Sequence, residues 1–238
     1  QQFVAERPDV RWLWITLCET STGVLRNLAA LRAMCATCNI DLYLDAVSAI
    51  GAVPVDLRGV RMASAVSGKA LGSFPGIAIV FHDGTIASGD RSLPRYLDLA
   101  LYEATAGVAF TQSSNLVGAL AAALRRYQSE QPWIEVVEMA SWLRAQLREL
   151  GLRTLIDEDR ANPAVTTITL DKPGHSRQLG DRLHRAGFLV SYESNYLLTR
   201  NWLQVCLMGC CTRENLAALI EILAREVQRM PMAQSTAS

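Results

Sequence analysis

Short apolar runs at residues 11–18, 40–44, 62–66 and 76–81 each stop at a polar turn, and this rhythm constrains the fold more than any other feature of the chain. Between the first two, Val24, Leu28, Leu31, Cys35 and Cys38 recur at spacings of four and three, the period of a helix with one buried face. Apolar runs of this length bounded by turn residues read as strands. Strand, helix and strand in alternation predict an α/β fold, a mainly parallel sheet with flanking helices.

The texture changes later in the chain. Residues 114–127 and 133–150 are helical in pattern, with Val137, Ala140, Leu143, Leu147 and Leu150 on one face of the second, Pro132 as the break between them and Gly151 as the stop. Residues 164–170 alternate with threonines, as a half-exposed strand does. A helix at 179–186, strands near 188–191 and 202–207, and a last helix capped by Thr212 complete the pattern, with Leu216, Ile220, Leu223 and Val227 on one face. The expectation is a division near residue 130: a parallel-sheet domain over 1–130 and a smaller α+β C-terminal domain over 131–238.

Charge and motif searches exclude several functions. Twenty-three basic residues balance twenty-three acidic ones, which argues against a nucleic-acid partner. No apolar run approaches a membrane span, so no membrane partner is expected. Of the six cysteines (18, 35, 38, 206, 210, 211), Cys35 and Cys38 form a lone CxxC inside a helical pattern, with no second pair or histidine at zinc spacing. Buried, reduced thiols, no metal and a cytoplasmic setting follow. The three histidines, His82, His175 and His184, show no metal spacing, and the dinucleotide, P-loop, zincin and nucleophile-elbow motifs are absent.

Three polar clusters remain, all at the carboxyl ends of predicted strands: residues 19–23, 45–48 and 67–69. In an open α/β sheet that edge is where ligands bind. Lys69, between Gly68 and Ala70 after an apolar strand, is placed as an amine for Schiff-base chemistry. Asp45 ends an apolar strand, where a carboxylate is costly unless it meets a cation such as a protonated pyridine nitrogen. The spacing alone equally allows a solvated loop lysine and an aspartate that caps its own turn.

Glu19-Thr20-Ser21-Thr22-Gly23, Asp45-Ala46-Val47-Ser48 and Ser67-Gly68-Lys69-Ala70-Leu71, in this order and spacing, resemble the class V aminotransferases, fold type I pyridoxal phosphate enzymes. The likeness is greatest to the serine–glyoxylate, alanine–glyoxylate and 2-aminoethylphosphonate transaminase branch. Phe74-Pro75-Gly76, Leu207-Met208-Gly209-Cys210 and Thr212-Arg213-Glu214-Asn215 carry the resemblance through both domains.

The resemblance implies that Lys69 holds pyridoxal 5'-phosphate as a Schiff base and then moves the proton at the substrate Cα. It implies that Asp45 pairs with the pyridinium nitrogen, Val47 packs on the ring, Thr20 meets the phenolic oxygen and Ser67 the phosphate. Thr111 matches a threonine lent to the neighbouring subunit's phosphate, which implies a homodimer. The activity implied is transfer of an amino group from a small amino acid or amine to a 2-oxo acid.

Three departures accompany it. The family's glycine-rich phosphate cradle and ring-stacking aromatic belong to an N-terminal part not found here. Gly68 stands where relatives carry a polar side chain. Gln204 stands where relatives carry the arginine that grips the substrate carboxylate, so either Arg200 takes that role, the substrate is held otherwise, or the register of this strand differs. Two alternatives stay open: another class V reaction (lyase, epimerase, or a desulfurase using Cys210 or Cys211), and a non-catalytic or split-enzyme subunit completed by a second chain.

Overall fold

In β1 (Trp12–Thr16), alternate side chains point to opposite faces. Leu13 and Ile15 face a core with Leu42 and Leu44, while Trp12 and Trp14 stand 59% and 67% exposed on the other face. This computed structural model describes residues 7, 9–84, 86, 93–209 and 211–229. Val24 leaves the helix expected of it. Residues 19–23 fold β2 (Cys18–Glu19) back onto β3 (Val24–Leu25) as an antiparallel hairpin. The helix α1 (Leu28–Cys38) starts only after Asn27, whose side chain accepts the Ala30 N–H at 3.0 Å. It ends at Asn39 in the left-handed conformation.

β4 (Asp41–Asp45) lies between β1 and β5 (Met62–Val66), parallel to both. β6 (Ala78–His82) closes the order β1-β4-β5-β6 as an antiparallel edge. The reason is the short connection after β5: residues 67–77 are too few for a crossover helix, so the chain turns back as a long hairpin. Lys69 rides on that hairpin. Leu28, Leu31 and Met34 of α1, with its fully buried Cys35, cover one face of the sheet.

The 3₁₀ turn Arg95–Leu97, α2 (Leu99–Ala104) and α3 (Ser114–Leu124) follow, the last capped by Ser113. A second 3₁₀ turn, Arg125–Gln128, leads into α4 (Gln131–Glu149). Pro132 does not break the helix: it sits in the first turn, where the missing N–H has no partner to lose. The buried face of α4 is Val136, Ala140, Leu143 and Leu147; Val137, expected on that face, is 48% exposed.

β7 (Arg153–Thr154), β8 (Val165–Thr169), α5 (His175–Arg185), α6 (Asn195–Arg200), β9 (Trp202–Cys206) and α7 (Arg213–Arg229) build the remainder. The sheet order is β7-β8-β9, all antiparallel. β8 is central and buried almost throughout, so its threonine alternation does not mark a half-exposed strand. Residues 188–191 form no strand; Ser191 makes an isolated bridge to Gln204. Thr212 does cap α7, its hydroxyl accepting the Asn215 N–H at 3.2 Å.

Two apolar clusters result. One lies between α1 and the parallel sheet; the other gathers Leu143, Leu147, Ile168, Leu179, Leu203 and Leu223. Ala52 and Ala70 belong to the second, so the loops after β4 and β5 dock onto it. No described helix is long and apolar enough to cross a membrane.

Candidate active site

The carboxyl edge of the parallel sheet brings together the turn after β2, the end of β4 and the loop after β5. Asp45 and Tyr43 share the sheet face opposite Leu42 and Leu44. Asp45 Oδ1 accepts the Val47 N–H at 3.1 Å, so this carboxylate does cap its turn and is held in one direction by doing so. Lys69 is partly buried and is one of two lysines in the sequence, Lys172 being the other.

Cys18 reports how these charges converge. Burial pushes its thiol above the ordinary range and a hydrogen bond from Asn162 pulls it down; the charges of Glu19 and Asp45 raise it and that of Lys69 lowers it. Asp45, at the end of β4, and Lys69, in the loop after the neighbouring β5, lie at the same edge of the sheet. Cys206 is exposed, which corrects the expectation of buried thiols at that position. Cys35 is buried and Cys38 partly so, both unpaired. Among the described residues no cluster of three or more His, Cys, Asp or Glu is arranged to hold a metal.

Thr20 is clamped from two sides. Its hydroxyl is 2.7 Å from that of Ser48, just after Asp45, and its carbonyl accepts from Gln204 Nε2 at 2.9 Å. The other Gln204 bond runs from Nε2 to Thr167 Oγ1 at 2.8 Å, and Thr167 in turn donates to the Thr22 carbonyl. The Gln204 amide is thus spent on tying the Thr20 turn to β8. It is not free to grip a carboxylate. The Arg200 guanidinium stacks 3.7 Å from the Tyr196 ring centroid and lies 5.7 Å from that of Trp202. Thr20 and Gln204 line a cleft of about 420 Å³ with Ser191, Tyr192 and Glu193, and Arg200 is not part of its wall.

Ser67 is fully buried, donating to the Phe74 carbonyl at 2.7 Å and accepting the Ile77 N–H at 3.2 Å. Its hydroxyl fastens the Lys69 hairpin at its base. Gly68 has a steric reason as well, since a Cβ there would meet Pro75 at 2.6 Å. Val47 is half-buried on the turn after Asp45. Thr111 stands exposed, next to a Phe110 ring that stacks on Tyr96 at 4.1 Å.

Sequence reasoning missed Asn162. This fully buried side chain donates from Nδ2 to the Ser48 carbonyl at 2.8 Å and to Cys18 Sγ at 3.0 Å, and accepts the Ala164 N–H at 2.8 Å. An Asn-Pro pair marks a loop, but nothing local says that it reaches a residue 114 positions away. Cys210 lies outside the described residues; Cys211 packs against the second apolar cluster.

No family model matches the chain. Among solved structures it resembles alanine–glyoxylate aminotransferase from Nostoc sp., with a TM-score of 0.82 and 24% identity over 96% of this chain and 65% of that one. Pyridoxamine–pyruvate aminotransferase from Mesorhizobium loti gives a TM-score of 0.83 at 19% identity, over 98% and 64%. The fold is that of the class V, fold type I aminotransferases. In sequence, the chain is 32% identical over 200 residues to the 2-aminoethylphosphonate–pyruvate transaminase of Burkholderia ambifaria (strain MC40-6), over 78% of this chain and 54% of that protein. It is 24% identical over 245 residues to that of Pseudomonas putida (strain GB-1), over 96% and 66%. In sequence the chain is thus similar to 2-aminoethylphosphonate–pyruvate transaminases. It spans about half the length of the first curated relatives it matches.

Proposed function

We propose that this chain carries the catalytic lysine and ring-nitrogen carboxylate of a pyridoxal phosphate-dependent transaminase. The observation that carries the proposal is the placement of Asp45, at the end of β4, and Lys69, in the loop after its parallel neighbour β5, on one sheet edge with the Thr20–Ser48 hydroxyl pair. The donor set fits the cofactor: one amine, one oriented carboxylate and the Thr20–Ser48 hydroxyl pair on a single sheet edge. Bound there, pyridoxal phosphate supplies the electron sink for a carbanion at the substrate Cα. Asp45, fixed by the Val47 N–H, keeps a proton on the ring nitrogen. Lys69 anchors the cofactor and moves a proton at its Nζ. Val47 would pack against the ring and Thr20 would bond its phenolic oxygen, with Ser48 and Gln204 holding Thr20 in place.

Transamination is favoured over the lyase, epimerase and desulfurase reactions because the named sequence relatives are transaminases. Their names, 2-aminoethylphosphonate as donor and pyruvate as acceptor, give the first pair to assay within the class of small amines and 2-oxo acids. The exposed Thr111 suits a phosphate in a partner subunit, and supports a homodimer. The two apolar clusters support a division near residue 130, and the reading extends to a protein of the cytoplasm.

The test is a pyridoxal phosphate titration read by visible absorption, with Lys69→Ala beside the parent chain. A saturating band that disappears in Lys69→Ala is expected. A band that survives the substitution overturns the assignment of Lys69.

A further inference from the structure

We propose that Tyr127 is a positioning residue for Lys69, acting through the backbone that flanks it. Tyr127 lies in the 3₁₀ turn between α3 and α4, at φ −91° and ψ 16°, outside helical geometry. Its hydroxyl lies 2.7 Å from the Ala70 carbonyl and 3.0 Å from the Gly51 carbonyl, sharing its proton between them. Ala70 follows Lys69 directly, and Gly51 lies in the consecutive turns that follow Asp45. One phenol therefore pins the lysine loop to the carboxylate turn.

The backbones meet closely at this point. Gly51 has φ +91°, and a Cβ on it would sit 2.6 Å from the Leu71 nitrogen and 2.7 Å from the Ala70 carbonyl carbon. The approach leaves no room for a side chain at position 51, and the hydroxyl that bonds both backbones comes from outside the two loops. Tyr127 provides it from the segment that joins the two apolar clusters, with its ring 5.6 Å from that of Trp133. Burial pushes the phenol above its ordinary range, which keeps it a donor across the working pH range. Arg126 faces the same loop, its Nη1 3.3 Å from where a Gly72 Cβ would stand. The chain thus sets the depth of the Lys69 side chain from the junction between its two halves.

The proposal rests on the assignment of Lys69 only for its consequence in catalysis; the positioning itself is measurable without turnover. Tyr127→Phe keeps the ring and removes the hydroxyl. With two lysines in the chain, Lys172 is an internal reference for chemical labelling. Each variant is labelled with formaldehyde and borohydride, and separately with pyridoxal phosphate and borohydride, and the ratio of Lys69 to Lys172 is read by peptide mass spectrometry. Tyr127→Phe should lower pyridoxal phosphate labelling of Lys69 about fivefold or more, the ratio equivalent to one lost hydrogen bond. Formaldehyde labelling of Lys69 should stay level or rise. Trp133→Leu, which keeps the hydroxyl and loosens its packing, serves as the stability-matched control and should leave both ratios near the parent's.

An unchanged pyridoxal phosphate ratio in Tyr127→Phe overturns the proposal. So does an equal fall in Trp133→Leu, because packing alone would then explain it. A shifted Lys69 ratio together with a pyridoxal phosphate absorption band that survives Lys69→Ala keeps the positioning role and refutes the proposed function instead.

Discussion

Asn162 offers the sharpest test of how the site is held. In Asn162→Ala the Ser48 carbonyl loses its donor and the Ala164 N–H loses its acceptor, both at 2.8 Å and both away from water. Each buried group left unpaired costs about 1–3 kcal/mol. With nothing counted for the weak contact to Cys18, the substitution should cost about 2–6 kcal/mol, a large share of the roughly 5–15 kcal/mol that holds a domain folded. The assay is urea unfolding followed by tryptophan fluorescence. At a slope of about 2 kcal/mol per molar, the midpoint should fall by about 1–3 M with the slope unchanged. Asn162→Asp should be nearly as damaging at neutral pH, since an ionised carboxylate turns an acceptor toward the Ser48 carbonyl. A midpoint within about 0.3 M of the parent for Asn162→Ala, or parent-like stability for Asn162→Asp, would falsify the account of this residue as the link between the two halves.

Further outcomes follow from single contacts. Ser67→Ala should lower stability by about 1–3 kcal/mol, by stranding the Ile77 N–H, and leave pyridoxal phosphate affinity within about threefold; a large affinity loss at unchanged stability would return Ser67 to phosphate binding. Arg200→Ala should change the KM for an amino donor less than about threefold and stability by about 0.5–1 kcal/mol, since the guanidinium rests on the exposed Tyr196 ring and near the half-buried Trp202. A tenfold rise in KM would restore it as a substrate ligand. The Tyr192 phenol, donating to Asp181 Oδ1 at 2.7 Å, is pushed up to about 12, chiefly by that bond. Its neutral form is favoured in the folded chain, so its contribution is complete below pH 10 and lost as pH rises from 10 to 12. Ultraviolet titration should show Tyr192 among the late tyrosines, and Asp181→Asn should bring one of them back toward 10; a titration unchanged by Asp181→Asn would remove the bond from the account.

Much of the strand–helix rhythm was legible because period and length are local properties of a chain. Met62–Val66 is a strand in both pattern and structure, and Thr212 and Gly151 punctuate their helices as their chemistry requires. The errors share a cause. Val24 fits the helical spacing, but the turn at 19–23 pairs it with Glu19 instead. Val136 rather than Val137 is buried because the orientation of α4 is set by what it packs on, and spacing alone allows either start. The threonines of β8 look like a solvent face, yet the strand is central.

The sequence by itself determined the kind of fold and the order of chemical groups along it: Thr20, Asp45 and Lys69 at successive strand ends, because a parallel sheet puts every such end on one edge. Tertiary structure decided what those groups are free to do. It spent the Gln204 amide and the Ser67 hydroxyl on hydrogen bonds, laid Arg200 on aromatic rings, and brought Asn162 and Tyr127 from more than fifty residues away to hold Ser48 and Ala70. A donor satisfied by a distant carbonyl is no longer available to a ligand, and that distant partner leaves no mark on the residues beside it in the chain.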